Sequence, residues 1–249
     1  MRGATMSGVL GANLESLRRD AGFTQGQVAD AIGVSRPTYA QIENGLKDIT
    51  LGQADTLAKL FGVSVDDLQK TSEEQSSKAA DQETFDRYKQ IILNAMEFGA
   101  DTSDNKITKT KLAKLVYLAD FAWFFNHGES LSSMDYRRLP RGPVPDAYFR
   151  AIDELIEDGV IKLETSGRAY MLSMTENGEA PHSRLTKVQR KFIKAVGEAW
   201  KDKQTQEIVD FTHSQRPWQL CKDSAVIPYG LILQETPAKV YGPAKLAGL

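Results

Sequence analysis

The chain has 249 residues, of which 41% are hydrophobic and 26% are charged, and its formal net charge at pH 7 is −2. This length suits one large domain or two modest ones, and the small net charge excludes a polycation that binds nucleic acid along its whole length. A single cysteine, Cys221, excludes an internal disulfide framework and fits a reducing compartment. No apolar run is long enough to cross a bilayer, and no hydrophobic signal core is present. We therefore expect a cytoplasmic protein without a membrane partner.

Residues 1–11 are small and flexible in character, which fits either a short, flexible arm or a segment added for expression. The stretch after it, Gly22–Gly45, predicts two short helices joined by a tight turn. Thr24 and Ser35 are residue types whose hydroxyls accept a hydrogen bond from the first turn of a helix. Gly33 suits the left-handed end of the first helix, and Pro37 suits the first turn of the second.

Two helices this short need neighbours to bury an apolar face. Apolar residues at helical spacing predict these neighbours at Asn13–Asp20, Thr50–Phe61 and Ser64–Leu68. We therefore predict a compact N-terminal bundle of five helices, over residues 10–69, with the helix-turn-helix at its centre.

In ordered combination, these residues resemble the phage-repressor-like (XRE, Cro-type) DNA-binding family. The residues that carry the resemblance are Leu17-Arg18, Thr24-Gln25, Val28-Ala29, Gly33-Val34-Ser35, Ile42-Glu43-Asn44-Gly45 and Leu57-Ala58. The resemblance implies that the second helix enters the major groove of operator DNA, where its N-terminal residues reach base edges. Its candidate base contacts are Arg36, Pro37, Thr38 and Gln41, and its candidate phosphate contacts are Gln25, Asn44 and Lys47.

The charge of this region bears on how it would bind DNA. Residues 1–70 contain seven Lys or Arg and eight Asp or Glu. Because non-specific DNA binding depends on phosphate neutralisation, a monomer should bind weakly. We therefore expect a homodimer, or a higher homo-oligomer, on an operator with two half-sites.

Residues 70–83 are polar and lack aromatic and branched aliphatic residues, which predicts a linker that is helical at most in part. From residue 84 to residue 249 the apolar pattern predicts a second, mostly helical α+β domain with a small antiparallel sheet, so the whole chain is mainly α. Its expected helices are 84–98, 107–125, 147–158, 186–200 and 205–213, the second of them central because it is apolar on more than one side. Its expected strands are 160–164 and 169–174, with 227–233 as a possible last strand.

This second half resembles the Panacea (SocA-like) antitoxin domain family. The resemblance rests on Lys111–Asp120, on Tyr136–Pro145 with its Gly-Pro-Val turn, and on Asp210–His213 with Pro217-Trp218. It implies an antitoxin that binds a small toxin encoded beside it, and the preceding helix-turn-helix implies autoregulation of the shared operon.

The segment Met134–Tyr148 is the candidate surface for the cognate toxin. It combines three prolines, which limit the entropy lost on docking, with Tyr and Arg, which are common at interface hot spots. The candidate toxin contacts, here and later in the chain, are Tyr136, Arg138, Arg141, Pro143, Val144, Tyr148, His213 and Trp218. The alternative is that Gly142–Pro145 forms only a rigid structural turn.

The sequence offers little for catalysis. Cys221 and His213 could form a nucleophilic pair, but no third residue is placed to orient them. The three histidines and one cysteine have no metal-ligand spacing, and no phosphate-binding glycine loop or paired-carboxylate signature is present. We therefore expect no enzymatic activity, no cofactor and no metal.

Three functions remain open on the sequence. The first is an antitoxin that represses its own operon through the N-terminal bundle and neutralises a co-encoded toxin through the C-terminal domain. The second is a transcriptional regulator whose C-terminal half binds a small ligand. The third is a proteolysis adaptor, which would need a protease tether, and residues 244–249 are the only candidate for one.

Overall fold

The computed structural model describes residues 6–69, 72–175 and 180–245, with no side-chain description for residues 6–9, 69 and 72–79. The chain divides into two compact units, Met1–Gln82 and Glu83–Leu249. Helix α5, Ser72–Gly99, includes most of the segment predicted to be a linker. Glu, Gln, Lys and Ala favour helix there, and no proline or glycine interrupts it. Residues 70 and 71 of the expected linker lie outside the described part.

The first unit is the predicted bundle. Its helices are α1 (Met6–Asp20), α2 (Gln25–Ala31), α3 (Arg36–Glu43) and α4 (Leu51–Phe61), followed by a 3₁₀ helix at Asp66–Gln69. The side chains of Thr24, Ser35 and Thr50 each accept a hydrogen bond from the third residue of the helix that follows. A single core buries Leu14, Val28, Tyr39, Ile42, Leu57 and Leu68.

The flexible arm expected over residues 1–11 is wrong from residue 6 onward, because α1 begins at Met6. Residues 1–5 lie outside the described part. Gly11 lets α1 pack closely against the end of α3, since a Cβ atom at this position would lie 2.4 Å from the backbone oxygen of Glu43. Only glycine permits α1 to approach the end of α3 so closely.

The second unit is built around helix α6, Lys109–His127. Every residue from Lys111 to Trp123 is buried, as expected of a helix that is apolar on more than one side. The helices around it are α7 (Ala147–Glu157), α8 (Lys187–Trp200) and α9 (Thr205–His213), together with the C-terminal part of α5. All of these helices were predicted, with small differences at their ends.

A three-stranded antiparallel sheet has the order β1-β5-β4, with β1 at Ile107–Thr108, β4 at Ile161–Ser166 and β5 at Ala169–Met174. The β4–β5 hairpin turns at Ser166-Gly167, as the sequence predicted. Ile107 was expected to open α6 but instead pairs with Leu172. Thr108 is the N-cap of α6, so the helix begins at Lys109, two residues later than expected.

A second hairpin, β2 (Tyr136–Leu139) and β3 (Gly142–Pro145), lies within the proline-rich segment and was not predicted. The last strand expected at 227–233 is wrong. Val226 forms one bridge with Arg137, and the chain then turns into a 3₁₀ helix at Tyr229–Gln234. Pro228 has no N–H to continue the ladder. The short helices α10 (Arg216–Gln219) and α11 (Pro237–Tyr241) complete the unit.

Candidate functional sites

Helix α3 presents a polar face to solvent. Arg36, Pro37 and Gln41 are exposed, and Thr38 is half-buried with its hydroxyl 2.9 Å from the Ser35 hydroxyl. Tyr39, Ile42 and Glu43 lie on the buried side of the same helix. The four predicted base-contacting residues are therefore accessible, with Arg36, Pro37 and Thr38 in the first turn of the helix and Gln41 in its last turn.

A buried ion pair fixes the orientation of α3. The Glu43 carboxylate, 7% exposed, accepts hydrogen bonds from Arg18 Nε at 2.6 Å and from Gln25 Nε2 at 2.8 Å. Burial would raise the pKa of Glu43, but the hydrogen bonds from Arg18 and Gln25 outweigh it and hold the pKa below its ordinary value. One amide hydrogen of Gln25 is therefore used inside the bundle, and the other stays available for a phosphate.

The segment after α3 carries the remaining predicted phosphate contacts. Asn44 is exposed, and its side-chain nitrogen donates to the Ala40 oxygen at 2.8 Å, so it caps the end of α3. Lys47 is also exposed, in the loop before α4. Two apolar side chains, Leu46 (78% exposed) and Leu51 (80% exposed), flank this loop.

Half of the predicted toxin contacts are buried. Tyr136 is inaccessible and packs against the rings of Tyr117 and Phe121, so its interpretation as a contact residue is wrong. Tyr148 is 1% exposed and donates its hydroxyl to the Lys109 oxygen at 2.7 Å, so it is not an exposed contact residue and only its edge lines a pocket. The candidates Pro143 and Val144 are buried in β3. For Pro143 and Val144 the alternative of a rigid structural element at Gly142–Pro145 is therefore the better description.

The other four candidates keep accessible surface. The Arg138 guanidinium lies 4.0 Å from the ring centre of Trp218, and this indole stacks on His213 at 3.9 Å between ring centres. Arg138 also pairs with Asp223 and donates from Nε to the Trp218 oxygen at 2.9 Å. Arg141, by contrast, is exposed at the tip of the β2–β3 hairpin.

Beneath the hairpin lies a buried lysine that sequence reasoning missed. Lys114 of α6 is 2% exposed, and its Nζ donates to the Pro143 oxygen at 2.9 Å. Burial lowers its pKa from an ordinary 10.5 to about 7. Gly142 has φ = 102°, and a Cβ atom there would lie 2.6 Å from Lys114 Cε and 3.1 Å from His213 Nε2. A charged residue inside the apolar stretch 112–124 was the signal that could have revealed this group.

A groove of about 470 Å³ lies beside this lysine, bounded by the start of α6, the hairpin tip and the start of α7. Its cationic residues are Lys109, Lys114 and Arg141, and its exposed aromatic residues are Phe149 and Tyr170. A second pocket of about 300 Å³ shares Lys109, Arg141 and Tyr170 with it and adds Arg168. The two form one continuous surface, which we call the basic groove.

A buried acid holds the segment that precedes strand β2. Asp120 of α6 accepts hydrogen bonds from the Leu131 N–H at 2.7 Å, from the Tyr229 hydroxyl at 2.9 Å, and from the Ser130 and Ser132 hydroxyls. Burial raises the pKa of Asp120, and these hydrogen bonds oppose the rise. The network ties α6, the segment before β2 and the C-terminal 3₁₀ helix together, so its role is structural.

Within the described ranges, no group of three or more His, Cys, Asp or Glu is arranged to hold a metal ion. Burial raises the pKa of the Cys221 thiol, with Arg138 opposing the rise. Among the described helices, none combines the length and the apolar character that a membrane span requires.

Two family models match the chain. A model described as helix-turn-helix matches residues 14–68, and a model described as antitoxin SocA-like, Panacea domain, matches residues 112–219. The first match ends with the 3₁₀ helix of the bundle, and the second runs from α6 to α10. Searches of curated proteins and of solved structures found no significant match. The chain therefore joins a helix-turn-helix domain to an antitoxin-like domain of the SocA (Panacea) family.

Proposed function

We propose that the chain is an antitoxin: its second unit neutralises a co-encoded toxin by direct binding, and its first unit represses the shared operon. The succession of the two matched families in one chain carries this proposal. A repressor must meet its operator, so the proposed site of action is the cytoplasm. The matched families are regulators, and no enzymatic step is included in the proposed function.

The DNA-binding part of the proposal rests on the exposed face of α3. A helix seated in the major groove reads bases with the residues nearest its N-terminus. Arg36 can pair bidentately with guanine, Gln41 with adenine, and Pro37 can contact a thymine methyl group. Lys47, Asn44 and the free amide hydrogen of Gln25 would contact phosphates and set the register.

A homodimer is part of the same proposal. The bundle has no excess of positive charge, so one copy gains little from phosphate neutralisation alone. Two copies on two half-sites, one helical turn apart, would double the base contacts. Analytical ultracentrifugation of the chain with and without a duplex of its promoter would measure this stoichiometry.

Toxin binding is proposed for the side of the second unit that carries the β2–β3 hairpin. The accessible candidates there are Arg138, Arg141, His213 and Trp218. Tyr136, Pro143, Val144 and Tyr148 support this surface from below. Arg and Trp are also the residue types most enriched at binding hot spots.

The test is co-expression with the product of the adjacent small open reading frame. The wild-type chain should restore growth and co-purify with this product. Substitution Arg141→Glu should reduce both effects without lowering the melting temperature, because the side chain is exposed. A neighbour that is harmless when expressed alone would contradict the antitoxin assignment.

The groove beside Lys114 gives the ligand-responsive regulator a specific observation in its favour, since about 470 Å³ is enough for a small molecule. This second candidate predicts a metabolite that raises the melting temperature of the chain and shifts operator affinity, with no protein partner. A thermal-shift screen separates it from the antitoxin.

A further inference from the structure

The basic groove differs from the rest of the second unit in how its charges are balanced. Most arginines on this unit have a carboxylate partner, such as Arg137 with Asp146 at 2.7 Å and Arg184 with Glu83 at 3.1 Å. Within the described residues, the guanidinium groups of Arg141 and Arg168 have no ion pair and no hydrogen bond. Both line this one groove.

The other cations of the groove are poorly neutralised as well. Lys109 Nζ lies 4.0 Å from the Asp153 carboxylate, at the limit of an ion pair. Among the described residues, the one hydrogen-bond partner of Lys114 Nζ is the Pro143 oxygen, which is uncharged. No Asp or Glu lines either of the two pockets that form the groove. The surface therefore has a positive potential that an acidic ligand would relieve.

Aromatic side chains stand at the same surface. Phe149 is 45% exposed and Tyr170 is 55% exposed, whereas many large aromatic side chains of this unit are buried in its core. Lys109 Nζ lies 5.6 Å from the ring centre of Phe149, so a cation stands beside this exposed aromatic ring. A ligand with both an acidic and an aromatic or aliphatic group would use the two features together.

The lining of the groove favours a peptide over nucleic acid. Its less exposed lining residues are Ala113, Leu139, Val144 and Tyr148, which are apolar or already hydrogen-bonded, together with Lys114. A nucleic-acid track needs a row of cations at the spacing of phosphates along an open surface. A recess with an apolar wall and cations at its rim instead suits one inserted side chain flanked by carboxylates.

We propose that the basic groove binds a short acidic segment of the toxin, with one aromatic or aliphatic side chain inserted between Phe149 and the hairpin tip. This inference rests on the proposed antitoxin function and names the chemistry of its partner. The guanidinium groups of Arg141 and Arg168 pair with carboxylates of the segment. The contact would be sensitive to salt because both guanidinium groups are solvent-exposed.

The test uses the full chain and a labelled peptide, acetyl-Glu-Phe-Glu-Phe-Glu-amide, with fluorescence anisotropy as the readout. A peptide with Gln in place of each Glu is the charge control. The protein variants are Arg141→Glu and Arg168→Glu, and Lys191→Glu is the matched control, because Lys191 is exposed on α8 away from the groove lining. Melting curves of all variants show that the fold is retained.

The proposal expects the acidic peptide to bind more tightly than the Gln peptide, and each groove variant to weaken it by about tenfold. Lys191→Glu should leave the affinity unchanged. Equal affinities for the two peptides, or equal effects of the groove and control substitutions, overturn the proposal. So does an effect of the groove variants on binding of an oligo-dT strand without any effect on the peptide, which would assign the groove to nucleic acid.

Growth rescue separates this inference from the function on which it rests. If the wild-type chain rescues cells from the neighbouring gene product and the double variant Arg141→Glu/Arg168→Glu rescues equally well, the groove proposal fails and the antitoxin function stands. If the wild-type chain does not rescue, the antitoxin function fails, and the peptide titration still decides whether the groove takes an acidic segment.

Discussion

Replacing Lys114 by methionine should stabilise the second unit at neutral pH and remove part of the pH dependence of its stability. Lys114 is buried in α6, and within the described part of the chain its ammonium group has a single, uncharged partner, the Pro143 oxygen. Burial disfavours the charged form and lowers its pKa to about 7. Methionine has a similar length and no charge, so it can fill the same space.

The direction of the effect follows from proton binding. The unfolded chain keeps the Lys114 proton up to its ordinary pKa of 10.5, whereas the folded unit loses it above about 7. Between these values the unfolded state binds more protons, so the free energy of unfolding rises with pH. Below pH 7 the lowered pKa reduces the free energy of unfolding by about 4–5 kcal/mol. Between pH 7 and pH 10 the free energy of unfolding recovers by about 3 kcal/mol. Loss of the hydrogen bond to Pro143 would offset about 1 kcal/mol of the gain in the variant.

The assay can follow the second unit within the intact chain, because all three tryptophans, Trp123, Trp200 and Trp218, lie in it. Urea unfolding by tryptophan fluorescence at pH 7 and pH 10 would be compared for the wild type, Lys114→Met and the exposed control Lys191→Met. The wild type and the control should gain about 3 kcal/mol more than Lys114→Met over this pH range. A difference below about 1 kcal/mol would mean that Lys114 titrates alike in the folded and unfolded states, contrary to this prediction.

Three further outcomes are expected. Arg36→Ala should weaken operator binding by about 1–3 kcal/mol and relax specificity at one base pair, which a panel of mutated operator duplexes would measure, and loss at all positions alike would assign Arg36 to phosphate instead. Glu43→Gln should lower the melting temperature of the first unit at pH 7. Its effect should shrink as the pH falls, because the pKa of Glu43 is lowered in the folded state and its stabilisation is lost on protonation. Gly11→Ala should destabilise the bundle by about 1–3 kcal/mol, since its Cβ would meet the Glu43 oxygen at 2.4 Å, whereas Gly52→Ala, which has open space, should not.

The bundle could be predicted from the sequence because its signals are local. Thr24, Ser35 and Thr50 each cap the helix that follows them, and Gly33 and Gly45 take the positive φ angles that end α2 and α3. Each of these choices depends only on residues a few positions away. For the same reason the β4–β5 hairpin was predicted from its alternation and its Ser-Gly turn.

The surroundings of the second hairpin could not be predicted in this way. Tyr136 and Tyr148 are of a residue type that is common at contact surfaces, but they are buried against residues distant in the chain, such as Tyr117 and Lys109. The expected last strand does not form because Pro228 has no N–H to donate to a neighbouring strand. The prediction relied on the apolar pattern of the tail and did not take this proline into account. The basic groove also depends on distant residues, because it brings Arg141 and Arg168 together from two separate hairpins.

We propose that the first unit binds operator DNA and that the second binds the toxin. Promoter repression and growth rescue can be measured in the same cells, for the wild-type chain and for Arg36→Ala, with the adjacent gene product as the toxin. We expect Arg36→Ala to lose repression and to keep full rescue. Loss of both activities in this variant, or rescue by neither protein, would contradict it.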